Sequence, residues 1–229
     1  MELQLRRRVF SVNSRTFYLL IATLVVSTLI VSSFWLGVAL WQVGTIILFA
    51  WLPLVGYVMS IFYRLYGTGI ALLFLLVMGQ AAHLAEHCAQ MVEIHILGLK
   101  GPQASGIIGQ LNNEWVHLIW NSWVLVFCFV LFYWLRKNPW LYVLFVFGVW
   151  HEIEHLYIIS QYIKTGIPGN PGLIAKGGLI GGGLPIMRPD LHFLYAVFEE
   201  TLIIIAFVTE IRRAQRKVEG TVPAVASAG

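Results

Sequence analysis

Long apolar segments, separated by short polar or glycine-rich stretches, recur along the whole chain. Each reaches or exceeds the roughly 20 residues that an α-helix needs to cross the hydrocarbon core of a bilayer. Six such segments predict spanning helices at 17–41, 44–63, 69–97, 110–135, 140–163 and 191–211. The pattern therefore predicts an all-α, polytopic integral membrane protein with six transmembrane helices, of which the last four form a bundle.

Composition supports this class and argues against a soluble protein. The 229 residues are 59% hydrophobic and only 11% charged, whereas about a quarter of the residues in a soluble domain are charged. The two cysteines, Cys88 and Cys128, fall inside predicted spans and suggest neither a disulfide framework nor a cysteine-rich zinc motif. The first apolar run is long and lacks a cleavage pattern, so we expect it to act as an uncleaved anchor.

The basic residues are divided unevenly between the two sides of the predicted topology. With the N-terminus in the cytoplasm, all but four of the 15 lysines and arginines lie on the inner side. This bias predicts that both termini are cytoplasmic. The formal net charge of +4 then reflects topology, and we expect membrane lipids rather than nucleic acid as partners.

Four regions follow from this pattern. They are a basic cytoplasmic N-terminal segment at 1–16, a two-helix membrane hairpin at 17–66, a four-helix membrane bundle at 67–213 and a disordered cytoplasmic tail at 214–229. The bundle contains a long outer loop at 165–190 that is rich in glycine and proline. Long loops of this kind are usually functional or mobile, so we expect this loop to cover the mouth of a site.

All seven histidines fall in the last four predicted helices, near their extracytoplasmic ends. Residues three, four and seven apart share one helix face, so most of these histidines and several glutamates form one stripe per helix. Buried imidazoles and carboxylates persist in a membrane when they are paired, hydrated or bound to a cation. The predicted metal ligands are His83, His87, Glu114, His117, His151, His155, His192 and Glu199. His95 and Glu152 lie off their stripes and rank lower.

The pattern His-x-x-Glu-His occurs twice, at 83–87 and at 151–155. A glycine-rich loop follows each copy and leads into a helix with a histidine in its first turns. This repetition indicates a duplicated two-helix hairpin and predicts a pseudo-symmetric site at the centre of the bundle. Two histidines one turn apart can chelate one ion, which leaves Glu86 and Glu154 as predicted catalytic residues that bridge metals or transfer protons.

The ligand set predicts divalent metal ions as cofactors. The side chains on the stripes exceed what one ion needs, so we expect two ions. The stripes carry no thiolate or thioether, which disfavours copper(I). The mixture of imidazole and carboxylate favours iron, with zinc, manganese and copper(II) as alternatives.

The leading functional interpretation is a membrane-bound, metal-dependent oxidoreductase that acts with dioxygen on a lipid or another apolar substrate. In its histidine-rich helices the chain is similar in kind to membrane di-metal hydroxylases and desaturases, although the His-x-x-His-His boxes of those enzymes do not occur here. No redox domain is evident in the sequence. An oxidoreductase of this type would need an external electron donor or partner membrane subunits.

Other functions are compatible with the same sequence pattern. The chain could be a zinc-dependent membrane hydrolase with a glutamate as general base. It could also be a transporter or sensor of metal ions or protons, a b-type cytochrome or an accessory subunit of a membrane complex. The inner halves of the last four helices are strongly apolar, which argues against conduction through the bundle.

Overall fold

The computed structural model describes residues 19–21, 23–24, 27–28, 39–109 and 111–221. Its described part is helical and contains no strand. The five long helices are α1 (Leu40–Tyr66), α2 (Thr68–His95), α3 (Glu114–Leu135), α4 (Pro139–Thr165) and α5 (Arg188–Thr221), and one 3₁₀ turn (Gly101–Gln103) lies between α2 and α3.

Among the described residues, five helices are long and apolar enough to cross a membrane, which confirms the predicted all-α class. Their outward surfaces carry large apolar side chains such as Phe129, Tyr133 and Val146. Apolar surface of this extent is expected where a helix faces lipid. The predicted helix 17–41 lies largely outside the described residues, so the count that the structure supports is five.

The helix ends differ from the predicted ones for two physical reasons. Helix α3 begins at Glu114 because Asn113 caps it, with its side chain accepting a 3.1 Å hydrogen bond from the Trp115 amide. Helix α5 continues to Thr221, ten residues beyond the predicted end and into the region 214–229. Its last turns carry charged residues, and hydropathy detects only the apolar part of a helix.

Helices α2, α3, α4 and α5 form a closed ring. Helix α2 packs against α3 and α5, helix α4 packs against the same two neighbours, and α1 packs on α2 outside the ring. Leucines such as Leu73, Leu131 and Leu144 fill one end of the bundle and are fully buried. Because α2 and α4 run opposite to α3 and α5, the histidines of all four helices meet at the other end.

Both connections at the histidine end fold back onto the bundle. In the connection between α2 and α3, the backbone carbonyl of Ala104 accepts a 2.9 Å hydrogen bond from the side-chain amide of Gln90. In the connection between α4 and α5, Ala175 is fully buried against Leu191 and Tyr195. The two connections therefore cover the end of the bundle at which the histidines lie.

Candidate metal centre

The first group of histidines joins α2 and α3. His83 and His87 lie one turn apart on α2, and His117 projects from the first turn of α3. One ring nitrogen from each lies within 4.8 Å of the others, and all three side chains are buried. Two imidazole nitrogens bound to one ion can be at most about 4 Å apart, so small ring movements would let this group hold a metal ion.

The second group has the same construction in α4 and α5. His151 and His155 lie one turn apart on α4, and His192 lies in the first turns of α5. The Nε2 atoms of His151 and His155 are 3.1 Å apart. Two nitrogens in the tetrahedral shell of one zinc-sized ion are separated by about 3.3 Å. This pair within the second triad is therefore already near the spacing that one ion requires, and the ligand nitrogen of His192 lies within 4.8 Å of both.

The two triads are in contact through His117. Its ring centroid lies 5.6 Å from that of His87 in its own triad. It lies 5.4 Å from His155 and 5.8 Å from His192 in the other triad. The six imidazoles therefore form one continuous cluster, in which two bound ions would be neighbours.

Hydrogen bonds at the outer nitrogens orient two of these rings. Nδ1 of His117 lies 3.3 Å from the carbonyl oxygen of Asn113, and Nδ1 of His192 lies 2.9 Å from that of Arg188. A ring nitrogen that faces a carbonyl must donate, so Nδ1 carries the hydrogen and Nε2 keeps its lone pair. Histidines that bind metals usually make this kind of bond with their other nitrogen.

Several ring nitrogens in the cluster are buried without a hydrogen-bond partner among the described residues. They are Nε2 of His192, Nδ1 of His87 and Nδ1 of His155. Buried polar atoms without partners are rare because each costs about 1–3 kcal/mol. Three of them within six adjacent imidazoles fit a centre that binds cations.

Glu199, predicted as a ligand, lies behind the second triad. Its Oε1 is 2.8 Å from Nδ1 of His151, and its Oε2 accepts a 2.9 Å hydrogen bond from the side chain of Gln80. The Gln80 oxygen in turn accepts a 2.9 Å hydrogen bond from the indole of Trp120. Sequence reasoning missed Gln80, although its position three residues before His83 places it on the same stripe.

Glu86 and Glu154 hold the two connections. Oε2 of Glu86 accepts a 2.9 Å hydrogen bond from the amide of Ile108. Oε1 of Glu154 accepts a 3.2 Å hydrogen bond from the amide of Leu173. Neither carboxylate belongs to a triad. Their predicted catalytic role stays a prediction beside this structural one.

A glycine with positive φ packs against each of these carboxylates. Gly106 has φ 82° and Gly172 has φ 79°. A Cβ atom would lie 2.6 Å from a Glu86 oxygen at Gly106 and 2.7 Å from a Glu154 oxygen at Gly172. Only glycine combines this backbone conformation with so close an approach.

Glu114, also predicted as a ligand, is engaged by Arg188. The guanidinium binds both carboxylate oxygens, with Nη1 2.8 Å from Oε1. Oε1 also accepts a 3.0 Å hydrogen bond from the amide of Gly169. Arg188 was not among the predicted site residues. The pair joins the starts of α3 and α5 beside His117 and His192.

The two hairpins repeat one set of contacts. In each, two histidines four residues apart meet a third from the next helix, and the glutamate before the second histidine binds its own connecting loop. The third histidine of each hairpin faces a backbone carbonyl four residues earlier. The duplication indicated by the sequence motif therefore extends to the loop and to the ring orientation.

His95 lies outside the triads and pairs with Asp190 at 2.6 Å.

A cavity of about 470 Å³ reaches the centre from the side of the connections. His87 and His117 of the first triad and His192 of the second line it. Glu114 and Arg188 also line it. A molecule in this cavity would therefore have access to both triads.

The donor set limits the chemistry that the centre can support. Imidazole nitrogens suit zinc, copper, iron and nickel. Three imidazoles leave room on each ion for a further ligand.

Comparisons with protein-family models, curated proteins and solved structures gave no match for the chain.

Proposed function

We propose that the protein is a membrane-bound metalloenzyme, an oxidoreductase that holds two adjacent metal ions and acts on an apolar substrate. The contact between the two triads carries this proposal, because it would place two ions side by side in one buried cluster. Redox-active ions, when bound, would supply electron transfer to dioxygen. The orientation with the centre near the extracytoplasmic face, and the external electron donor, belong to the same proposal.

Neither Glu114 nor Glu199 is placed to act as the general base of a hydrolase, which leaves Glu154 for that role, so oxygen uptake distinguishes the oxidoreductase from a hydrolase. A zinc hydrolase needs a carboxylate that can take a proton from the attacking water. Both oxygens of Glu114 bind Arg188, and both oxygens of Glu199 are occupied by His151 and Gln80. These two side chains therefore serve to position other groups.

The metal that we expect must be redox-active. Iron was favoured by a mixture of histidine and glutamate ligands, whereas the two triads contain imidazole alone. Imidazole suits both iron and copper. Iron and copper(II) are therefore both candidates under this proposal, and metal analysis distinguishes them.

Within the chain, the two connections and their glutamates cover the centre around the cavity. Glu86 and Glu154 each fix a loop by a hydrogen bond to its backbone. The second oxygen of Glu154 is buried and accepts no close hydrogen bond among the described residues, although the Tyr195 hydroxyl lies near this carboxylate. We assign Glu154, rather than Glu86, to proton transfer during turnover, because this oxygen is available.

Two of the other interpretations fit the described geometry less well. Conduction would require polar groups beyond the centre, but fully buried leucines such as Leu73, Leu76 and Leu144 fill that end of the bundle. A b-type cytochrome would require a slot for a porphyrin between two imidazoles. The rings of His117 and His155, which come from different hairpins, stack face to face with centroids 5.4 Å apart, which leaves no such slot between them.

The proposal is tested with protein purified into lipid nanodiscs. We expect two iron or copper ions per chain, and oxygen uptake when a reductant is supplied. His87→Ala and His155→Ala should each lose one ion and abolish oxygen uptake. His95→Ala, which alters a histidine outside the triads, should retain both. Tightly bound zinc with no oxygen uptake would overturn the oxidoreductase proposal.

A further inference from the structure

The residues that line the cavity at the centre range from buried at one end to exposed at the other. His87, His117 and His192 are buried and form its floor, whereas Asn112 and Lys176 are exposed and form its mouth. Its volume of about 470 Å³ falls within the range of small-molecule sites. A ligand would therefore enter between the two connections and meet the imidazoles at its inner end.

The walls between mouth and floor are largely apolar and rigid. Four prolines of the two connections and of the first turn of α5 line the cavity, together with the apolar side chains of Ile94, Leu111 and Met187. These prolines are Pro102, Pro168, Pro171 and Pro189. Proline has no amide hydrogen to donate and a fixed φ, so these walls offer hydrocarbon surface and few hydrogen bonds. They suit an alkyl chain.

The charges that line the cavity do not cancel. Glu114 and Arg188 neutralise each other through their two-point ion pair. Lys176, at the mouth, makes no ion pair with any described residue. Among the side chains at the mouth, one positive charge is therefore left to attract an anionic group.

We propose that the cavity binds an anionic amphiphile. Its alkyl chain lies along the proline walls toward the imidazoles, and its single carboxylate or phosphate group lies against Lys176 at the mouth. This inference rests on the proposed function, because it names the substrate class of that site. Since Lys176 is exposed, its ion pair should improve binding by about two- to fivefold.

The test compares three probes of equal chain length, which are octanoate, octyl phosphate and octanol. Binding to the protein in nanodiscs is measured by isothermal titration calorimetry, with the metals present and after their removal. We expect both anions to bind more tightly than octanol. Lys176→Met should remove this preference and leave octanol binding unchanged. Octyl phosphate and octanoate together show whether a phosphate or a carboxylate is preferred.

Two variants separate the cavity from general surface charge. Lys164→Met removes a lysine at the end of α4 that does not line the cavity, and it should keep the anion preference. Met187→Trp enlarges an exposed residue of the lining and should weaken binding of all three probes. Equal losses in Lys176→Met and Lys164→Met, or equal binding of octanol and octanoate by the unaltered protein, would overturn the inference.

The cavity assignment and the oxidoreductase proposal can fail independently of each other. Selective anion binding without any redox activity would leave the cavity assignment standing and remove the oxidoreductase. Two redox-active ions with no preference for anionic probes would leave the oxidoreductase proposal standing and remove the cavity assignment.

Discussion

The carboxylate of Glu199 lies 2.8 Å from Nδ1 of His151, on the side of the ring away from His155. Such a bond fixes the proton on Nδ1 and makes Nε2 a better metal ligand. His83, at the same place in the other motif, instead stacks on Trp120 with centroids 5.1 Å apart. The two triads share a pattern of ligands but differ in the support that their histidines receive. We therefore expect the second triad to bind a metal ion more tightly.

Glu199→Gln should weaken the second site selectively. Glutamine keeps the shape of the side chain but removes the negative charge that supports His151. Loss of such a partner typically costs about 10- to 100-fold in metal affinity. Competition with a coloured chelator measures this change. Glu200→Gln alters the neighbouring buried carboxylate and should leave the affinity unchanged, and an equal loss there would contradict the assignment.

The two sites should fill in a fixed order. Because Glu199 supports only His151, the first equivalent of cobalt(II) should enter the second triad. Its absorption spectrum should persist unchanged in His83→Ala, whereas in His151→Ala the first equivalent should enter the first triad instead and bind more weakly. Simultaneous filling, with both variants affected alike at one equivalent, would show that the carboxylate does not distinguish the triads.

Gly106→Ala should destabilise the protein by about 1–3 kcal/mol. The new methyl group would require an unfavourable backbone conformation and would collide with the Glu86 carboxylate. Gly98→Ala in the same connection provides the control, since Gly98 has φ 67° and no neighbour within 4 Å of a Cβ. Thermal unfolding should show a larger loss for Gly106→Ala. Equal losses would mean that backbone strain alone is responsible.

Removing one partner of the pair between Glu114 and Arg188 should be costly. Arg188→Gln leaves a buried carboxylate without its counter-charge, which typically costs about 3–5 kcal/mol. The double variant Glu114→Gln/Arg188→Gln should recover part of that loss. A double-mutant cycle of unfolding temperatures measures the coupling, and purely additive losses would show that the two side chains act independently.

The histidine cluster was predictable because it depends on local geometry. Spacings of three, four and seven residues place side chains on one helix face, and alternating helix directions bring those faces to one level. The roles of the glutamates were less predictable from the sequence. Glu114 has the Glu-x-x-His spacing of a ligand, yet it meets Arg188, which is distant in the sequence. Such a pairing depends on how the helices rotate and how the loops fold.

Gln80 illustrates the same difference. Its helix position was readable, but its function depends on Glu199 and Trp120, which belong to two other helices. Helix length was also only partly readable, because the charged final turns of α5 lie outside any apolar segment. Periodicity therefore reveals which residues share a face, whereas tertiary packing decides which of them meet.

Each triad is completed within a single hairpin and its own connection. An ancestral gene that encoded one such hairpin would already have specified a whole binding pocket, and two identical subunits could have assembled the pair. Fusion of two copies into one chain would have allowed each pocket to evolve separately. The Glu199 carboxylate at His151, which has no equivalent at His83, is the kind of difference that such separate evolution would produce.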